Sequence, residues 1–585
     1  MAEQLSADYL VIGSGIIGSL AARKLALAGA SVLILEAGPR VSRGEIVGRF
    51  RNSTRRSDLM SPYPSVPTAP HPIYQPKDSG YLVQAGPYPY PAEYIRQFGG
   101  TSWHWAAQAW RNVPNDFRIH SLYGVGVDWP ISYEDLEPFY QEAEEIMGVS
   151  GADNTGSPRK QAFPMEPVTE PFAMRRIRER LDPVYKVVGN TVARNSVSYD
   201  GRPACCGNNS CQPICPIDAQ YHGGIAALQA EEAGVKILCN ANVYKLEHDA
   251  QGRITAALYY DVDRKSHRVT AKTFILAANG IESPRLLLLS ASEKYPKGLA
   301  NSSDMVGRNL MDHPSTSLTF DADEDLWLGR GPQSPNSINT MRDGDFRSQH
   351  SPYRLDFTNI SRVDGATKDL ISKGVFGEEF EQQLRFRSAR EMSLKTVLEV
   401  LPNPENRITL SEEKDSMGIP KPQAHYAIDE YTKRGHERAK QDFERIAKLM
   451  GGTNLRHSKE GVFSNNQHIC APCRWVPTRP RPCATSGGAP SIMPTCSCAA
   501  PACCPRPAPA IRRKTAWPWP CAASSISSTN NREARHDGDH PTGGGRRFVI
   551  LHGLAGAGGA SSWCRRAGDR TWPLPGHGGR LHRLP

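Results

Sequence analysis

The chain of 585 residues is too long for one compact core, so two or three domains are expected, interleaved along the sequence. Hydrophobic residues make up 39% and charged residues 22%, a globular balance, and no run approaches the roughly 20 apolar residues that cross a bilayer. The formal net charge of +10 is uneven: from Cys470 onward there are 15 Arg and 1 Lys against 4 acidic residues, whereas the preceding body carries 54 basic and 56 acidic side chains. A body so balanced offers no basic face, which argues against nucleic acid as a partner. The start, MAEQLSADYLVIGSG, has neither a basic head nor a cleavage site, so no signal peptide of the chain's own is expected.

Asp8 to Ile12 is a short apolar run predicted to be a buried strand. Gly13-Ser14-Gly15-Ile16-Ile17-Gly18 follows, then a helical stretch from Ser19 to Ala28 and a second apolar run, Ser31 to Leu35, ending in Glu36. This is a βαβ pattern carrying G-x-G-x-x-G with an acidic residue about 20 positions on. Gly13 allows the tight turn, Gly15 lets backbone approach a pyrophosphate, and Gly18 lets helix and strand pack closely. The helix N-terminus offers unpaired N–H groups to phosphates, and Glu36 would accept from a ribose hydroxyl. A chance glycine-rich turn is the bland alternative. The motif alone does not separate FAD from NAD.

Four of the five cysteines before Cys470 stand in one string, C-C-G-N-N-S-C-Q-P-I-C-P, as Cys205, Cys206, Cys211 and Cys215. Gly207 and two asparagines supply turn-forming backbone. Zinc normally takes paired C-x-x-C hooks from two separated sites, which are lacking, whereas close thiolates followed by Pro suit an iron–sulfur cluster better. A local disulfide or unpaired thiols remain the alternative. Three ligands would suit a three-iron cluster. Adjacent residues rarely turn both side chains to one centre, so Cys205, Cys211 and Cys215 are the expected ligands and Cys206 the spare.

At this point the sequence resembles the glucose–methanol–choline (GMC) oxidoreductases, FAD-dependent alcohol and sugar dehydrogenases and oxidases. The matching strings are VIGSGIIGSLAARKLALAG, LILEAGP, GGTSWHWAA (Gly99 to Ala107), AANGIESPRLLLLS (Ala277 to Ser290) and VGRNLMDH (Val306 to His313). Within the family it is most similar to the large subunits of bacterial membrane-linked sugar and polyol dehydrogenases, in which the cysteine loop holds a [3Fe–4S] cluster. The resemblance implies FAD along Gly13, Ser14, Gly15, Gly18 and Glu36. Gly99, Gly100, Thr101 and Ser102 would lie by the flavin, with Trp103, His104 and Trp105 beside the isoalloxazine or the electron path. A merely packed loop histidine is the alternative for His104. Val243 would meet the adenine through its backbone, and Ala278 and Gly280 would border the diphosphate. The family's catalytic base corresponds to His468 in Asn465-Asn466-Gln467-His468-Ile469; without the resemblance His468 reads as a surface-loop histidine. A histidine suits the role because its pKa lies near working pH.

The resemblance implies electron flow from a sugar or polyol CH–OH to FAD, then to the cluster, then to a multihaem cytochrome c subunit. Glucose is the best-matched substrate. Sorbitol, gluconate or 2-ketogluconate dehydrogenase is the rival in the same class, and a non-catalytic FAD or electron-transfer subunit the rival from another. The cluster favours a dehydrogenase over an oxidase. A small signal-bearing subunit would carry the chain to the periplasmic face of the inner membrane.

The expected fold is α/β: a Rossmann-like FAD-binding domain assembled from discontinuous segments, about 1–45 and 220–318, plus a substrate domain on an antiparallel sheet at 319–469. Residues 46–219 form a cap and insertion region with the cluster loop at 200–222. Residues 470–585 break the pattern, with 9 of the 14 Cys and 16 of the 47 Pro, no acidic residue before Glu533, and no sustained period. Re-reading the codons two bases on permits the family's closing strand, helix and Asn. The tail therefore reads as frameshifted, unable to fold, and as leaving the chain inactive. The last codons, shifted by one base, permit the start of a c-type haem motif.

Overall fold

The computed structural model describes residues 5–54, 58–73, 80–470 and 472–473, and the backbone of Ser491–Ile492 and Arg547–Ile550. Strand Ser6–Ile12 forms where predicted; Leu10 and Val11 are fully buried because both faces of a central parallel strand are covered. It lies between Val32–Leu35 and Ser266–Leu276, parallel to both, with Tyr9 opposite Val32 and Thr273. Lys236–Leu238 extends the parallel set beyond Val32–Leu35. An antiparallel flap, Asn242–His248 on Ile254–Tyr260, is hung from Ser266–Leu276. The helix between the first two strands spans Ile16–Leu27, three residues ahead of the expected Ser19 start, because Gly15 is itself the N-cap and Gly18 falls in the first turn.

A second sheet of six strands is antiparallel throughout. Its order is Thr453–His457, Ser317–Asp321, Glu391–Leu398, Tyr353–Phe357, Asn336–Ile338 and Val187–Gly189. The Val187–Gly189 strand comes from the stretch read as cap. The 20-residue helix Glu430–Leu449 packs Ala439, Phe443, Ile446 and Ala447 into the core that covers this sheet. The α/β expectation, with a Rossmann-like sheet drawn from separated segments and an antiparallel substrate sheet, therefore holds.

Most of the 470–585 tail lies outside the described residues. Of the part described, Cys470 exchanges backbone hydrogen bonds with Met311 at 3.1 Å, and Cys473 is buried in the core of the parallel sheet. Arg547–Ile550 runs parallel to Ser266–Leu276, with Phe548 opposite Phe274, and Ser491–Ile492 pairs with it in turn. The expectation of a tail with no order is corrected for these residues: the exposed edge of a parallel sheet takes up a short β-prone run. Among the described residues no helix is long and apolar enough to cross a membrane.

Candidate active site

The first strand turns at Gly13, where φ is +103° and a Cβ would sit 2.5 Å from the Ala277 carbonyl oxygen. A Cβ on Gly18 would lie 2.1 Å from the Gly13 oxygen, so helix and turn touch backbone to backbone. Gly15 differs: a Cβ there meets nothing within 4 Å, and no side chain caps the helix amides it precedes. Those N–H groups face open space, as a pyrophosphate site requires. Gly100 closes over them, its Cβ position 3.4 Å from the Gly15 Cα.

Behind the turn, the Ser14 hydroxyl donates to Glu36 Oε2 at 2.6 Å and accepts from the Gly99 amide at 2.9 Å. Glu36 also accepts from the Ser14 and Gly38 amides at 3.0 and 3.1 Å. Burial raises its pKa against those hydrogen bonds. The side chain of Gln97 is buried with both amide atoms unpartnered among the described residues, an unspent donor and acceptor beside the cradle. The cradle thus fits a dinucleotide.

The Gly99-to-Ala107 loop is fixed from several sides. Thr101 Oγ1 accepts from the Ile95 amide at 3.1 Å, Ser102 Oγ accepts from the Gly223 amide at 2.8 Å, and Trp105 donates to the Tyr221 carbonyl at 2.7 Å. Trp103 stacks on His222 with ring centroids 3.9 Å apart. His104 is buried, its Nδ1 unpartnered among the described residues, and burial pushes its pKa down to about 4. Val243 stands half-buried on the antiparallel flap, and Ala278 caps the helix Asn279–Leu289. Gly280 lies where a Cβ would be 2.9 Å from the Ile469 carbonyl oxygen, which brings the histidine segment against the flavin-side helix.

His468 is delivered by the short pairing of Ser464–Asn465 with Pro314–Ser315. Its amide donates to Asp312 Oδ1 at 3.0 Å, as the His313 amide does at 2.6 Å. The preceding Gln467 holds φ at +65°, locked by the Glu93 amide and the Pro91 carbonyl, a strained residue of the kind that clusters at functional sites. The His468 and His313 rings stand edge to face, 5.3 Å apart. The residue His468 is exposed, with its backbone amide turned inward to Asp312. Desolvation in the cleft, then His313, Lys395 and Arg354, hold its pKa well below the ordinary value. A neutral imidazole facing a cleft can accept a hydroxyl proton.

Lys395 donates to Asn466 Oδ1 at 3.0 Å, and Asp356 lies opposite it across the strands. Arg354 pairs with Asp356 at 2.8 Å and donates to Gln108, a buried polar pair on the substrate sheet. Sequence reading assigned no role to Asp312, His313, Lys395 or Arg354. The VGRNLMDH string contained the first two, whereas the strand residues carry no motif.

In the cysteine loop Gly207 and Asn209 both adopt positive φ, as the turn-rich string implied. None of the four cysteines forms a disulfide; Cys206 is exposed, Cys205 half-buried, Cys211 and Cys215 buried. Amide N–H groups point at sulfur, that of Gly207 toward Cys205 and those of Ile217 and Gln220 toward Cys215. Burial raises both thiols, these contacts work against it, and Cys211 is near enough to each to oppose its ionisation. Among the described residues no three His, Cys, Asp or Glu side chains converge on a single metal ion. A multi-iron cluster is larger than one ion and spreads its ligands, so a donor set of three neighbouring thiols, two of them receiving N–H···S contacts, fits it.

The GMC oxidoreductase family profile matches residues 189–315, and an NAD(P)-binding Rossmann-like profile matches 11–52. The chain is 46% identical to the fructose dehydrogenase large subunit of Gluconobacter japonicus, over 80% of this chain and 88% of that one. It is 33% identical to 2-methyl-1,2-propanediol dehydrogenase of Mycolicibacterium austroafricanum, over 52% of this chain and 55% of that one. An Aspergillus oryzae formate oxidase structure superposes with a TM-score of 0.53 at 14% identity, covering 81% of this chain and 89% of that one. The chain belongs to the GMC oxidoreductase family and is an FAD oxidoreductase acting on CH–OH groups.

Proposed function

We propose that this chain is the catalytic subunit of a sugar dehydrogenase whose substrate is a free hexose. The observation that carries the reading is the placement of His468, edge to face with His313 at 5.3 Å and directly before Ile469, whose carbonyl abuts the Gly280 helix. His468 accepts the hydroxyl proton, Arg354, Asp356 and Lys395 orient the remaining hydroxyls, and the Gly13–Gly18 turn with Glu36 and Gly99–Ser102 holds FAD. Bound FAD supplies the hydride acceptor. The chain's own loop strings favour glucose, while the Gluconobacter japonicus relative is named for fructose. Sorbitol, gluconate and 2-ketogluconate are the competitors in the same site. A non-catalytic FAD or electron-transfer subunit is the other reading, and the exposed histidine held beside the Gly280 helix weighs against it.

Three free cysteines, of which Cys205 and Cys215 receive N–H···S contacts, support a [3Fe–4S] centre on Cys205, Cys211 and Cys215, with exposed Cys206 the spare. Electrons would leave through it to a cytochrome c subunit at the periplasmic face, the chain being exported with a small signal-bearing subunit. The "large subunit" relative supports an assembly of this kind. The base composition implied by residues 470–585 supports a frameshift after Ile469, which would remove the family's closing strand, helix and the Asn that partners the base.

The test is anaerobic addition of fructose, glucose, sorbitol and gluconate to the purified chain, as written and with the frame restored. Bleaching of the flavin absorbance by a hexose, in the frame-restored protein only, is expected. Bleaching by none of the four sinks the dehydrogenase reading, and turnover by the chain as written sinks the frameshift.

A further inference from the structure

Arg194 has 1% of its surface exposed, and its Nε and Nη1 have no hydrogen-bond partner among the described residues. Only Nη2 is engaged, with Gln220 Oε1 at 2.8 Å and the Ala106 carbonyl at 3.4 Å. No carboxylate within the described residues pairs with it. A buried guanidinium lacking an anion is costly, so it implies a negative group that fills the remaining donors. Its neighbour in the chain touches the cysteine loop directly: the Asn195 carbonyl accepts from the Cys205 amide at 2.8 Å. Gln220 fixes its place, since the same side chain donates to the Trp105 carbonyl at 2.8 Å and the Cys211 carbonyl at 3.3 Å. The cation is thereby clamped between the flavin-side loop and the cysteine loop. Arg202, nearby and also short of partners, is a different case because it stacks over Tyr221 and lies in the field of Asp200.

We propose that Arg194 is the built-in counter-cation of the iron–sulfur centre, a positioning residue that holds the cluster's charge and raises its reduction potential. The inference rests on the cluster reading above. A three-thiolate iron–sulfur centre is anionic and becomes more so on reduction, and fixed charge and hydrogen bonds to sulfur set its potential. A buried cation beside it stabilises the reduced state more than the oxidised one.

The frame-restored full chain, isolated with its flavin, is compared with Arg194→Gln, which removes the charge and keeps an amide, and with Arg194→Lys, which keeps the charge. Electron paramagnetic resonance of the oxidised cluster against poised potential gives the midpoint of each. In Arg194→Gln the midpoint should fall by at least a tenfold shift in the reduction equilibrium, about 59 mV for one electron. Flavin content should not change, and Arg194→Lys should recover most of the shift. A Gln midpoint within about twofold of the parent equilibrium overturns the assignment, as does equal loss of the cluster from both variants. A parent protein with no three-iron signal instead removes the cluster reading itself.

Discussion

Gly15 and Gly18 look alike in the motif and do different work. A Cβ on Gly18 runs into the Gly13 carbonyl, whereas one on Gly15 meets nothing within 4 Å, in the space proposed for phosphate. Gly15→Ala should therefore fold with a nearly unchanged unfolding temperature in the flavin-free state, yet carry at least roughly tenfold less FAD, read as flavin-to-protein absorbance. Equal flavin loading would show that the pyrophosphate lies elsewhere. His468 owes its depressed pKa to desolvation first and to neighbouring cations second. The base must be neutral, so activity rises with pH through this depressed value, and the acid limb of kcat/KM should fall below the ordinary 6.5. Lys395→Met removes one of the cations, so the limb should move to higher pH while the alkaline side is unchanged. A limb that stays put would deny Lys395 any electrostatic reach to the base.

The helix Glu430–Leu449 presses on the antiparallel sheet that carries Lys395 and Arg354, so its ends and its buried face bear on the cleft. Asp429 caps it, accepting from the Thr432 amide at 2.6 Å. Removing that acceptor leaves one first-turn donor unmet, and Asp429→Ala should cost about 1 kcal/mol. Asp442 is a sharper case: it is buried and accepts from the Tyr185 and Tyr353 hydroxyls at 2.8 and 2.5 Å. Asp442→Ala strands two buried phenols, so it should destabilise by roughly 3 kcal/mol, about three times the cap loss. Denaturant unfolding of the two variants side by side checks the ratio; equal losses would mean the phenols find new partners.

Across the whole molecule, a buried charge network joins the flavin side to the substrate side. Glu282 accepts from the Tyr94 and Tyr81 hydroxyls at 2.5 and 2.8 Å and pairs with Arg285, which reaches Asp415 at 2.9 Å in the turn between strands Arg407–Lys414 and Pro420–His425. Burial alone would raise its pKa, but Arg96, Arg285 and the two phenols overcome that and hold Glu282 down to about 2. A depressed carboxylate contributes stability that is complete above its ordinary 4.5 and is lost as pH falls toward 2. Glu282→Gln takes the nearby carboxylate from buried Arg96 and leaves Arg285 only Asp415, so it should cost about 3 kcal/mol at neutral pH and flatten that acid limb. Denaturant-induced flavin release as a function of pH measures both effects; an unchanged acid limb would mean that another group dominates.

The sequence by itself determined the nucleotide half, because its signals are local. An apolar strand, a glycine turn and a helix start are written in consecutive residues, and Gly13, Gly15, Gly18 and Glu36 stand together as the motif requires. It also marked the cysteine string within a short run, whereas His468 came forward only through the family resemblance. Only the tertiary structure decided what surrounds them. Asp312 and His313 meet His468 over more than 150 positions, and Arg354 and Lys395 reach the cleft through cross-strand register, which no local pattern encodes. Arg194 shows the same limit: its meaning comes from the partners it lacks once buried, and burial is a property of the packed chain. Local backbone preference acts between near neighbours and is legible one residue at a time. Charge complementarity and desolvation act between residues brought together by packing, so they appear only when the fold is closed.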